Sequence, residues 1–162
     1  MQIYVGTYGK YNDGNLAGKW LQISDYQNKH EFVEACRKLH EDEHDPEFMF
    51  QDWEGLPDNT VGESHLDDLV FDFANIDQDD RDIIDAYMDA TGQELDDALE
   101  NALDSFRGYF DSVQDFGEEL AADILEIPSN IEPYFDYEAY GRDCLLDMSH
   151  TTINHKIWVF WN

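Results

Sequence analysis

The chain has 162 residues, and its 38 acidic side chains against nine basic ones give a formal net charge of −29. That sign excludes nucleic acid, anionic membranes and acidic substrates as partners, and favours cations and proteins with basic grooves. Hydrophobic residues at 42% and aromatics at 14% supply enough apolar surface for real cores, so disorder is excluded despite the charge.

Residues 1 to 60 read as an α+β domain. Ile3-Tyr4-Val5-Gly6 and Lys19-Trp20-Leu21-Gln22-Ile23 are short strands, with turn residues Tyr11-Asn12-Asp13-Gly14-Asn15 between them. An amphipathic helix follows from Lys29 to His40, with Phe32, Val33, Cys36 and Leu39 on one face, and Asp45-Pro46 stops it. Phe48 to Trp53 is a third strand, and Gly55-Leu56-Pro57-Asp58 marks a loop and a domain boundary. From Ser64 the period turns helical. Leu66, Leu69, Val70 and Phe73 form one stripe, and Ile83, Ile84, Tyr87 and Met88 the next, which Thr91-Gly92 ends.

The clearest stripe is Leu95, Ala98, Leu99, Ala102, Leu103 and Phe106. A further helix spans Ser112 to about Glu126, carrying Val113, Phe116, Leu120 and Ile124, and Ser129-x-x-Glu132 predicts a capping box before a short helical segment. The end reads as a hairpin turning at Asn154-His155 into the strand Ile157-Trp158-Val159-Phe160-Trp161. That strand is the longest apolar run, too short to span a membrane. It must be buried, in its own domain or at a subunit interface, because an exposed edge of this kind aggregates. Met1-Gln2-Ile3-Tyr4 lacks the regions of a signal peptide, and two distant cysteines, Cys36 and Cys144, suit a reducing cytoplasm.

The charge is not spread evenly. Thirty-four of the carboxylates lie between Glu41 and Asp147, where Arg81, Arg107 and Arg142 are the only basic residues, leaving about −31 on that stretch. Asp82, Asp85 and Asp89 line one predicted helix. Asp96, Asp97, Glu100 and Asp104 line the second, and Asp111, Asp115, Glu118, Glu119, Asp123 and Glu126 lie on or beside the third. Like charges at four-residue spacing each cost an isolated helix roughly 0.2–0.5 kcal/mol. No lysine in these helices offsets that cost. The pattern resembles a polyanion: at one charge per ~1.7 Å of duplex axis, −31 corresponds to roughly 50 Å of DNA, or about 15 base pairs. A salt-adapted acidic surface without a specific partner is the bland alternative, but it should acidify the whole chain. Residues 1–38 instead hold five basic residues and four acidic ones.

Catalytic patterns are few. His40-Glu41-Asp42-Glu43-His44 is a literal H-E-x-x-H, which would make the chain a zinc metallohydrolase. It falls at a helix end, two residues before Pro46, with acidic residues in its variable positions, and reads as a solvated helix end. Asp77-x-Asp79 begins like a calcium loop, but Asp82 and Met88 stand where glycine and glutamate are needed. The reading is of a protein with no catalytic group, metal or cofactor.

Two blocks carry a family resemblance. Ile3-Tyr4-Val5-Gly6-Thr7-Tyr8-Gly9-Lys10-Tyr11-Asn12-Asp13-Gly14 with Gly18-Lys19-Trp20-Leu21 is one. Ile131-Glu132-Pro133-Tyr134-Phe135-Asp136-Tyr137-Glu138-Ala139-Tyr140-Gly141-Arg142-Asp143 is the other. Both resemble the ArdA antirestriction proteins. The resemblance implies a DNA mimic of mobile genetic elements, acting in the cytoplasm on the methyltransferase and specificity subunits of type I restriction–modification enzymes. It further implies an elongated homodimer of three small domains per subunit, placed here at 1–60 (α+β), 61–108 (acidic, helical) and 109–162 (α+β, with the dimer interface).

Overall fold

The computed structural model describes residues 1–162, of which 46% are helical and 22% strand, the α+β class expected. The chain divides into two compact units, Met1–Gln78 and Asp79–Asn162.

The first unit opens with β1 (Gln2–Thr7), a short helix α1 (Tyr8–Asn12), β2 (Lys19–Gln22), α2 (Lys29–Leu39) and β3 (Phe48–Glu54). β1 lies between the other two strands, antiparallel to both. Alternation along β1 sends Ile3 and Val5 into a core shared with Phe32 and Cys36 of α2 and Phe50 of β3. α2 starts where the sequence places it, because the Asn28 side chain accepts from the Glu31 N–H at 3.1 Å while the Glu31 carboxylate accepts from the Gln27 N–H at 3.0 Å. Burial in this core pushes the Cys36 thiol up to about 12.

Beyond the loop at Gly55–Asp58 the chain returns to the same core. The helix expected from Ser64 is preceded by a small hairpin, β4 (Val61–Gly62) with β5 (His65–Leu66), and helix α3 runs only from Leu69 to Ala74. Gly62-Glu63-Ser64 supplies turn residues, and the Asp67 carboxylate accepts from the Leu69 N–H at 2.9 Å at the new start. Val61, Leu66, Val70, Phe71 and Ala74 all join the core of the strands.

The second unit holds α4 (Gln78–Thr91, its first residue at the junction), α5 (Leu95–Ser105), β6 (Phe106–Phe110), α6 (Val113–Ile124), α7 (Tyr137–Leu145), β7 (Ser149–Ile153) and β8 (Lys156–Phe160). Gly92 ends α4 at φ +70°, as its position in the sequence predicts. The stripe of α5 buries Leu95, Ala98 and Ala102 but leaves Leu103 exposed, and Phe106 turns out of the helix into a strand. β8 is the middle strand in the order β6-β8-β7, so Ile157 to Phe160 are internal to their sheet, with Val159 and Phe160 fully buried, whereas Trp161 lies beyond the strand and is exposed. Asn154 and His155 make the hairpin turn with φ of 51° and 66°, the two left-handed residues that a two-residue turn of this type demands. The capping box at Ser129 does not form. A 3₁₀ turn over Glu132–Tyr134 starts from Ile131 with no side-chain cap, and the Ile131 and Glu132 N–H groups donate to the Pro128 carbonyl instead.

Candidate functional site

The thirteen acidic residues singled out above lie on α4, α5 and α6 and at their ends. Twelve are exposed. Asp97 is half-buried and structural, accepting from the Tyr87 hydroxyl at 2.9 Å and the Asn101 amide at 3.1 Å. Burial of the apolar stripes forces the rest outward: with Leu95, Ala98 and Ala102 inside, Asp96, Glu100 and Asp104 face solvent at four-residue spacing. On α6 the inward residues are Phe116, Leu120 and Ala121, which leaves Asp115, Glu118, Glu119 and Asp123 on the outside.

Several of these carboxylates have partners. Asp115 hydrogen-bonds the Ser112 cap at 2.7 Å, and Glu118 accepts from Gln114 at 2.7 Å. Asp89 accepts from the Thr151 hydroxyl. Arg107 on β6 reaches α6 and bridges Glu119 at 2.8 Å and Asp123 at 2.5 Å, with its own side chain only 15% exposed. Lys156 lies 3.6 Å from Asp111 and 4.5 Å from the centroid of the Tyr109 ring. Asp85 has its carboxyl pushed above the ordinary range, first by desolvation and then by neighbouring Asp82, with Arg81 opposing. The sequence missed the Arg107 bridge because its partners lie 12 and 16 residues away, at no helical spacing.

The H-E-x-x-H segment does not assemble a zinc pair. α2 ends at Leu39, so His40 is its C-terminal cap and His44 falls beyond the helix. The expected solvated end holds for Glu41, Asp42 and His44, which are exposed, but not for His40, which is buried. Its Nε2 lies 3.2 Å from the Val5 carbonyl and its Nδ1 lies 3.0 Å from Lys10 Nζ. An ammonium can only donate, so Nδ1 accepts and Nε2 carries the proton given to Val5. His40, Asp42 and Glu43 do converge as a possible cation site. Lys10 Nζ stands among them, 2.9 Å from Asp42 and 3.4 Å from Glu43. The lysine ammonium is the cation of this cluster.

The molecule thus presents a surface of carboxylates over well-formed cores. A family model described as antirestriction protein (ArdA) matches residues 3–158. The chain belongs to the ArdA antirestriction family. As an ArdA protein it is an antirestriction protein, an inhibitor whose counterparts are restriction enzymes. Curated proteins give no match to this ArdA chain. None of its helices is long and apolar enough to cross a membrane.

Proposed function

We propose that this ArdA chain blocks type I restriction–modification enzymes as a DNA mimic, without catalysis. The carboxylates of Asp82 to Glu126 take the place of backbone phosphates against Lys and Arg of the methyltransferase and specificity subunits. The observation that supports this reading most is the exposed row Asp96, Glu100, Asp104 on α5, a helix with no basic residue. Such a row costs the helix stability through self-repulsion, and a basic groove relieves that repulsion on binding. The elongated three-domain subunit, pairing through its C-terminal domain, belongs to the same proposal: a two-fold pair doubles the length of anionic surface.

The test is displacement of a labelled duplex from a purified type I methyltransferase. The chain is expected to displace DNA at concentrations comparable to those of a competing duplex, less effectively as salt rises. No displacement at a large excess in low salt would remove the mimic reading and leave an inhibitor that acts elsewhere on the enzyme.

A further inference from the structure

The outer face of the N-terminal sheet carries side chains that phosphate mimicry does not use. Trp20, Tyr4 and Asp52 are direct neighbours in register across β2, β1 and β3. Ile3 and Val5 flank Tyr4 and point wholly into the core, so alternation sends Tyr4 to the opposite face. There it meets Trp20 edge to face, with ring centroids 5.5 Å apart. The Tyr4 hydroxyl donates to the Leu16 carbonyl at 3.1 Å, which fixes the β1–β2 connection beside the row. With Tyr11, Trp53 and Glu63 these residues line an open groove of about 680 Å³. Tyr11 and Trp53 remain 48% and 39% exposed, so the unit's own core does not consume these rings. The Phe50 N–H donates to the Glu63 backbone carbonyl at 2.8 Å, which fixes the Glu63 backbone beside the groove. One oxygen of Asp52 accepts from the Trp53 N–H at 2.9 Å, and the other is open.

The lining holds two carboxylates, four aromatic rings from Tyr and Trp, and no basic residue. Carboxylates repel phosphates and acidic peptides, while aromatic faces and carboxylates together attract cations. Between the two protein cations, a planar guanidinium stacks on an indole or phenol ring and engages carboxylates through its fork of N–H donors, which a compact, strongly hydrated ammonium does less well. We propose that this groove takes an arginine side chain from a basic segment of the inhibited restriction enzyme, its guanidinium held between the Tyr4 and Trp20 rings and the carboxylates of Asp52 and Glu63. The enzyme as the source of that arginine rests on the DNA-mimic reading; the guanidinium chemistry of the groove stands without it.

The full chain titrated with a blocked Gly-Arg-Gly peptide is expected to show saturable shifts of the Trp20 indole N–H resonance. Binding should be at least about threefold weaker for Gly-Lys-Gly, and the isosteric uncharged citrulline peptide should not bind. Joint Asp52→Asn and Glu63→Gln should weaken the arginine peptide about tenfold, whereas joint Asp96→Asn, Glu100→Gln and Asp104→Asn should leave it unchanged. Equal shifts with citrulline, or shifts confined to Trp158 and Trp161, overturn the proposal. In DNA displacement from the enzyme, the Asp52/Glu63 variant and Trp20→Ala, each checked by thermal melting, should need several-fold more protein. Wild-type displacement by both variants overturns the restriction enzyme as the source of the arginine and leaves mimicry standing. Failure of every form of the chain to displace DNA, with the peptide still bound, removes mimicry and leaves the guanidinium site.

Discussion

At the scale of single residues, the cluster around His40 decides what the most chemical-looking motif in the chain does. Lys10 hydrogen-bonds Asp42, which raises the lysine above its ordinary value and holds the Asp42 carboxyl below its own. Replacing Lys10 by Met leaves the buried Nδ1 of His40 without its donor, a loss of about 1–3 kcal/mol by the usual cost of an unsatisfied buried acceptor. Urea melts at neutral pH should show it. The sign with pH follows from the two shifts. A depressed carboxyl stabilises the fold above its unfolded value of about 3.9 and loses that contribution as pH falls through the folded value. A raised lysine stabilises fully below about 10.4 and loses its contribution as pH rises through the folded value. The part of the gap between wild type and Lys10→Met that comes from the Lys10–Asp42 pair should therefore be fullest between those limits and vanish in acid, leaving the part set by His40; a gap that does not narrow at all at about pH 2, below the ordinary carboxylate range, would show that the ion pair contributes nothing to it. The sequence marked His40 but not Lys10, because the pairing spans 30 residues and no local pattern reports it.

Among the elements, those with a long period were legible and those made by a single packing contact were not. α2, α4, α5 and α6 follow their apolar stripes, and the β7–β8 hairpin follows its turn residues. β6 hides because Phe106 continues the stripe of α5 at the right spacing while its backbone already turns extended, at ψ 116°. The crossing of α6 and α7 is equally silent in the sequence. Gly117 and Gly141 sit at its centre: a Cβ on Gly117 would stand 2.1 Å from the Tyr137 carbonyl oxygen, and one on Gly141 would stand 2.4 Å from that of Val113. Both obstacles are backbone, so neither can rotate away. Gly117→Ala should destabilise by about 1–3 kcal/mol or more through overpacking, although alanine normally improves a helix interior by roughly 0.5–1 kcal/mol over glycine. Thermal melting distinguishes the two signs. A stabilised Gly117→Ala would mean that the helices do not approach this closely.

For the whole molecule, the placement of negative charge was fully legible, because counting carboxylates requires no fold. What the sequence could not reveal is how much of that charge the protein already neutralises. Arg107 spans Glu119 and Asp123, so two of the proposed phosphate mimics are engaged before any partner arrives, whereas Asp96, Glu100 and Asp104 face solvent on a helix without a basic residue. If binding to the enzyme is distributed electrostatics, these two groups should move it in opposite directions. Removing one ion pair from an interface of this kind lowers the slope of log affinity against log salt by roughly one. Joint Asp96→Asn, Glu100→Gln and Asp104→Asn should therefore flatten the salt dependence of DNA displacement by up to roughly three and weaken displacement at low salt. Asp96→Asn alone should flatten it by no more than roughly one. Arg107→Gln releases two carboxylates, and should steepen the slope and strengthen displacement at low salt. Its melting temperature is expected to fall modestly, since the pairs are solvent-exposed at their acidic ends and worth about 1 kcal/mol or less each. Weaker displacement by a folded Arg107→Gln chain would mean that the arginine positions α6 for the enzyme, and that the geometry of the acidic surface governs inhibition more than its charge.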